Sequence, residues 1–402
     1  MTRAEADARV PATIEAADAA ARTWDVLVVG AGPAGSFAAR EAARAGLATL
    51  LVDRAAFPRA KACGGCLNHT AVEALRRAGL GDRLARLGGP TITAVRLRQD
   101  GRQASIAVPP GVAVSRRALD AMLVAAAIEA GAQFLPETSA AVARGGTAGH
   151  RLVELRPHAG TALEAEARVV VAADGLGQTS LRACGEFESR VRRDSRIGVG
   201  SLGPEGILAL PPGTITMTIG RAGYVGAVTV EQGRVHVAGA LDPQFVRQRG
   251  SPGRAVASVL EQAGVRGTSG LDALDWLGTP PLTRHTPHPA GRRVLLVGDA
   301  AGYVEPFTGE GMAWALALAG ASTSFIRRGL RAWDPALERE WGLTCRSRIG
   351  SRQRTCRILT RALRRPGVVR AGIVALGHWP WLAGPLVARL GAGPGAVTGG
   401  AQ

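Results

Sequence analysis

The sequence predicts an α/β fold: a discontinuous parallel-sheet domain, interrupted by an inserted β-sheet lobe and followed by a C-terminal helical segment. Three observations carry that expectation. A buried-strand run, a glycine-rich turn and an alanine-rich helical stretch follow one another within residues 24–52. Two further apolar runs end in Asp-Gly at 174–175 and continue into Gly-Asp at 298–299, far down the chain. Between those runs, residues 196–243 return to a β pattern with Gly and Pro breaks.

Residues 1–23 alternate Arg with Asp and Glu in an Ala background, without the apolar run of a secretory signal, so a flexible leader is expected there. Trp24–Val29 reads as a strand, Ala34–Ala45 as a helix of small residues and Ala48–Val52 as a second strand, together a βαβ unit. Residues 92–108 form a hairpin about Asp100-Gly101, and the stretch 90–110 is assigned to the lobe. Residues 116–130 form a helix with Leu119, Leu123, Ala126 and Ala127 on one face, followed by strands at 152–155 and 166–172. The nucleotide half thus spans 24–195 and 286–330, the lobe 196–285 with a turn at Gln232-Gly233, and the helical end 331–402.

With 46% hydrophobic residues, the 402-residue chain can bury a sizeable core. The net charge of +17 is uneven: residues 1–320 carry +6 and residues 321–402 carry +11. Of the 49 basic residues only Lys61 is lysine, a usage that reflects coding bias more than a polyanionic partner. Aromatic residues make up 4% and are not interleaved with basic ones, and no zinc-finger spacing occurs, so nucleic acid is not an expected partner. Five cysteines make no disulfide framework, no metal-ligand spacing is present, and a reducing cytoplasm is the expected compartment.

Gly30-Ala31-Gly32-Pro33-Ala34-Gly35 follows a strand and opens a helix, the setting a dinucleotide fingerprint requires. Gly30 permits the tight turn, Gly32 lets the backbone approach a pyrophosphate, and Gly35 allows helix–strand packing, while the helix N-terminus offers a positive dipole. Asp53 ends the second strand 18 residues after Gly35, placed to accept from a ribose, with Arg54 beside it. Gly198-Val199-Gly200-Ser201-Leu202-Gly203 spells the same pattern, but no buried-strand run precedes it and Pro204 discourages a helix after it. It reads as a bend in the lobe, so no second dinucleotide fold is expected.

Asp174-Gly175 and Gly298-Asp299, each at a strand end, narrow the dinucleotide to FAD. Carrying these motifs in this order, the sequence resembles FAD-dependent oxidoreductases built like aromatic hydroxylases. The resemblance implies that Asp299 binds the ribityl chain. It also places the helix start after Glu305-Pro306-Phe307-Thr308-Gly309-Glu310-Gly311 near the isoalloxazine. It implies an Arg four residues before an Asp, which Arg116 and Asp120 satisfy, with Arg117 as a competing assignment. Pro58-Arg59-Ala60-Lys61-Ala62-Cys63-Gly64-Gly65-Cys66 further resembles a segment of geranylgeranyl reductases, which use reduced FAD to saturate isoprenoid double bonds. From it, Lys61, Ala62 and Cys63 join the cofactor residues, as do Pro306, Gly309 and Gly311 from the later segment. Where that family carries a Tyr-x-Trp-x-Phe-Pro motif, this chain has Gly223-Tyr224-Val225-Gly226-Ala227-Val228.

The activity expected is reduction of C=C bonds in a hydrophobic, isoprenoid-like or polyketide-like substrate. The alternative is an FAD-dependent monooxygenase hydroxylating a hydrophobic or aromatic substrate. Cys63 and Tyr224 are the catalytic candidates, while NADPH, NADH and ferredoxin stand as alternative reductants. His285 and His288 lie before the Gly-Asp strand and read as loop residues. Residues 341–402 hold ten Arg and no acid. Residues 371–388 are too short and too broken by Pro380 and Pro385 for a membrane span. The stretch 341–391 is therefore expected either to contact a membrane surface or to pack as a helical layer on the enzyme.

Overall fold

The computed structural model describes residues 9–147, 149–305, 307 and 309–391. In chain order its first elements are α1 (Ala16–Ala20), β1 (Thr23–Val29), α2 (Pro33–Arg44), β2 (Thr49–Val52), β3 (Cys66–Leu67), α3 (His69–Arg77) and α4 (Gly81–Arg86). There follow β4 (Thr91–Gln99), β5 (Arg102–Ala113), α5 (Arg116–Glu129), β6 (Gln133–Leu135), β7 (Thr138–Gly146), β8 (Arg151–Pro157) and β9 (Leu163–Ala172). The lobe continues through β10 (Arg190–Val191), β11 (Ile197–Gly203), β12 (Thr214–Gly220), β13 (Gly223–Thr229), β14 (Val235–Leu241), α6 (Pro243–Arg249), α7 (Pro252–Gln262) and β15 (Leu277–Pro281). The chain ends with β16 (Arg284–His285), β17 (Ala290–Gly291), β18 (Val294–Leu296), β19 (Gly302–Tyr303), α8 (Gly311–Arg331), α9 (Pro335–Ala362), α10 (Pro366–His378) and α11 (Gly384–Gly391).

Strand β1 is parallel to β2 on one side and to β9 on the other, within the order β17-β18-β9-β1-β2-β6. Its side chains alternate between two cores. Val26 and Val28 join the cluster under α2, α5 and α8, while Leu27 and Val29 join the cluster on the opposite face. A parallel sheet covered on both faces reads as a continuous apolar run for this reason. Full burial of a side chain such as Leu27 is worth ~1.5–3 kcal/mol. Strand β18 pairs in parallel with β9, so the last third of the chain returns to complete the first sheet.

The second sheet runs β15-β11-β14-β13-β12-β4-β5-β3 and forms the lobe. The hairpin β4–β5 joins it through a parallel pairing of β4 with β12, although the hairpin precedes most of the first sheet in sequence. Helix α7 packs Val256, Val259 and Leu260 onto one face of this sheet. Helix α10 packs Val369 and Ile373 on the face that carries Leu97, Met217 and Tyr224.

Two expectations need correction. Residues 9–23 are docked instead of forming a flexible leader: Val10 N–H donates to the Phe57 carbonyl, Thr13 N–H to that of Phe134, and Ile14 is buried. Residues 1–8 lie outside the described residues. Gly198–Gly203 lies within the regular strand β11, antiparallel to β14, and is no bend. Its glycines serve close packing, since a Cβ on Gly200 would stand 3.2 Å from Ala62 Cα and from Cys63 N. Helices α6 and α7 add to the sheet of the lobe.

Candidate active site

Two cavities meet between the halves. The larger, about 900 Å³, lies over the carboxyl ends of β1, β2 and β9. It is where a doubly wound sheet places its ligand. Gly30, Gly32, Pro33 and Ala34 form one wall, and Asp53 and Arg54 another. Lys61, Ala62 and Cys63 come from the loop before β3, and Arg116 from the start of α5. Asp174, Gly175, Gly298, Asp299, Gly309 and Gly311 complete it. Gly35 stays behind the wall, where a Cβ would stand 1.7 Å from the Gly30 carbonyl oxygen; glycine is needed for α2 to approach β1. Pro306 lies outside the described residues. His285 and His288 are exposed.

The polar groups here are held in place. Asp53 accepts from Ala31 N–H at 2.7 Å and from Ala55 N–H at 2.9 Å, fixing the glycine-rich turn against the end of β2. Asp120, fully buried, accepts from Arg116 Nε and Nη2 at 2.8 Å each and pairs with Arg59 at 3.1 Å. Arg116 thus faces the cavity, while Arg117 donates to the Pro58 carbonyl at 3.4 Å. Asp174 Oδ2 accepts from Ser180 N–H at 2.8 Å, whereas its Oδ1 is buried with no hydrogen-bond partner among the described residues. Burial raises the carboxyl pKa of Asp174 and of Asp299, Asp299 against the pull of Lys61, Arg116 and Arg284. Lys61 projects into the cavity, where the walls first and then Arg116 and Arg59 lower its ammonium pKa.

These residues fit FAD. The space beside Gly32 is open to the nearest guanidinium, 3.4 Å from a notional Cβ, so a pyrophosphate can approach the backbone. Arg116, Arg59 and Lys61 supply positive charge, and the unmatched Asp174 oxygen calls for a hydroxyl or N–H donor.

The second cavity, about 530 Å³, is lined mainly by apolar side chains of the lobe sheet, among them Leu97, Ile215, Met217, Ile219 and Tyr224, and is closed by α10. The two cavities share Cys63, Cys66, Tyr303 and Gly309 in their walls. Tyr224 is buried, packs edge-on to Phe307 at 5.0 Å and has an unpartnered hydroxyl among the described residues. Its phenol pKa is raised well above the ordinary value, by burial first and then by Glu305. Cys63 and Cys66 are free thiols, and burial pushes Cys66 up to about 12.

Sequence reasoning passed over Glu310, which ends the loop before α8 and lines the apolar cavity. It accepts from Asn68 Nδ2 at 2.7 Å and pairs with buried Arg352 at 3.4 Å. Burial outweighs both partners and raises its carboxyl to about 7. An acid immediately before a helix start was the available signal. His236 was also missed: its ring packs on Gly65, and burial, then Arg116 and Arg234, lowers its pKa to about 4.

A nucleotide cavity of this composition, abutting an apolar chamber, defines an FAD-dependent oxidoreductase. The FAD-binding domain family matches residues 23–201. Menaquinone reductase of Mycobacterium tuberculosis is 30% identical over 338 residues, covering 79% of this chain and 80% of that protein. Geranylgeranyl diphosphate reductase of Rhodobacter capsulatus is 29% identical over 334 residues, covering 76% of each. The chain belongs to the family of FAD-dependent oxidoreductases that includes this menaquinone reductase, and it resembles the geranylgeranyl reductases. Among solved structures, the flavin-dependent brominase Bmp2 superposes with a TM-score of 0.77 at 17% identity, over 92% of this chain and 94% of that one. A flavoprotein/dehydrogenase from Cytophaga hutchinsonii gives 0.73 at 18% identity, over 93% and 98%. These two share the fold.

Proposed function

We propose that this enzyme reduces a C=C bond in a long hydrophobic substrate of isoprenoid character. The observation that carries this reading is the wall shared by the two cavities, with Glu310 on the apolar side of it. The larger cavity would hold reduced FAD, which when bound would supply the hydride.

The chain's own groups do the rest. Gly32, Arg116 and Lys61 would hold the pyrophosphate, and Asp299 the ribityl hydroxyls. Leu97, Met217, Ile219 and Val369 exclude water and hold an apolar chain by area alone. A carboxyl with a pKa of about 7 is protonated in half the molecules at neutral pH, so Glu310 serves as the proton donor to the second carbon. Hydride and proton together add two hydrogens across the double bond. Asn68 orients the carboxyl, and Arg352 stabilises the carboxylate that remains after transfer. Regenerating the cofactor would require an external donor, either a nicotinamide delivering a hydride or a ferredoxin delivering two electrons one at a time.

The test is anaerobic. FAD-loaded enzyme reduced with dithionite is mixed with a polyprenyl quinone or with geranylgeranyl diphosphate. Oxidation of the flavin without oxygen is expected, with a product that still carries two added hydrogens in its isoprenoid chain after any quinol is reoxidised. Product that appears only after oxygen is admitted, and carries an added oxygen atom, overturns the reading in favour of a monooxygenase.

A further inference from the structure

The C-terminal helices turn apolar side chains both inward and outward. On α10, Val369, Gly372, Ile373 and Leu376 line the chamber at helical spacing, which leaves Ala371 and Val374 exposed on the opposite side. Beyond α10, Trp379 is 55% and Trp381 72% exposed. Val368 and Leu382 are exposed and also line the chamber, so its mouth opens within this apolar surface. Arg361 and Arg365, just before α10, and Arg370, on it, are exposed, and no acidic residue occurs in 341–402. Arg364 beside them pairs with Asp194 and Asp242, but two exposed tryptophans beside an apolar rim, with exposed arginines along the same helical segment, match the chemistry of a bilayer interface.

We infer that this face docks on an anionic lipid bilayer. Trp379 and Trp381 sit at headgroup level, and Arg361, Arg365 and Arg370 meet the anionic headgroups. The mouth between Val368 and Leu382 then faces the acyl region, so a lipid-soluble substrate enters without crossing water. Among the described residues no helix is long and apolar enough to cross a membrane, and the attachment is peripheral. The entry route rests on the chamber being the substrate site; the docking does not.

The test uses the full-length, FAD-loaded protein floated with phosphatidylcholine vesicles and with vesicles containing phosphatidylglycerol. Binding to the anionic vesicles is expected, weakened by salt. Trp379→Ala/Trp381→Ala and Arg361→Ala/Arg365→Ala/Arg370→Ala should each lower binding by roughly tenfold or more, with flavin absorbance unchanged. Absence of binding to anionic vesicles overturns the inference, as does equal binding by wild type and both variants. Self-association in gel filtration that the Trp variant abolishes, without vesicle binding, assigns the face to a second copy and also overturns it. Vesicle binding is read without turnover, so it stands or falls separately from the proposed reaction.

Discussion

Asn68 uses both ends of its side-chain amide: Oδ1 accepts from Ala71 N–H at 3.0 Å to cap α3, and Nδ2 donates to Glu310 at 2.7 Å. The cap fixes the amide, and the amide in turn fixes the carboxyl that borders the apolar chamber. Residues 242 positions apart in sequence are thereby locked in one geometry.

Proton donation by Glu310 predicts a pH limb. Turnover under saturating reductant should fall as pH rises through about 7, because the donor form is then lost. Glu310→Gln should lower turnover by roughly 10²-fold or more and abolish that limb. Stability follows the same group with a definite sign. The folded pKa lies above the unfolded value of 4.5, so the folded state binds more protons between 4.5 and about 7, and stability declines as pH rises through that window. The loss is ~3 kcal/mol at most, measured by urea unfolding of wild type against Glu310→Gln.

The glycines of the first turn should separate fold from cofactor. Gly35→Ala drives a Cβ into the Gly30 carbonyl and should unfold the nucleotide half, seen as loss of the cooperative thermal transition. Gly32→Ala meets no atom nearer than 3.4 Å and should fold normally, yet it places a methyl group where a bound pyrophosphate would approach the backbone. Flavin absorbance after gel filtration should be lost in Gly32→Ala while its apoprotein melts near the wild-type apoprotein.

Removal of the Asp120 charge should be costly. Asp120→Asn leaves the guanidiniums of Arg116 and Arg59 facing a neutral group, and the buried geometry implies a loss of ~3–5 kcal/mol in unfolding free energy.

The Cys63-Gly-Gly-Cys66 segment should not behave as a redox dithiol. With its thiol pushed up to about 12, Cys66 remains protonated at neutral pH and should resist iodoacetamide in the native protein. Mass spectrometry of the native and unfolded protein checks this, with modification expected only after unfolding. Cys66→Ser should retain activity in the anaerobic assay.

The parts of the fold that sequence revealed are those that local chemistry dictates. Val26–Val29 announces a strand buried on both faces, Asp100-Gly101 a hairpin, and Gly30–Gly35 a turn into a helix. The interruption of the first sheet was also legible, because Val294–Val297 is too apolar to lie outside a core. Non-local partners were not legible. The pairing of Glu310 with Asn68 and Arg352 depends on three segments brought together by the fold. The glycines of β11 spelled a nucleotide fingerprint but answer to packing, Gly203 against Ile207, and Gly198 and Gly200 against Thr279 and the Cys63 loop, which no window around residue 200 reveals. Val10 docks through its backbone N–H, and Thr13 through its N–H and its hydroxyl, which accepts from Phe134 N–H at 2.7 Å, partners that are distant in sequence.

The late return of β18 has a consequence for synthesis. Until Val294–Leu296 has left the ribosome, the outer edge of β9 lacks its parallel neighbour, and until Gly311–Arg331 follows, α2 lacks the helix packed beside it. The nascent chain must therefore carry a finished lobe before its opening third can close. Capture of FAD in a cavity walled by Gly298, Asp299 and Gly311 would then wait until that segment has been made.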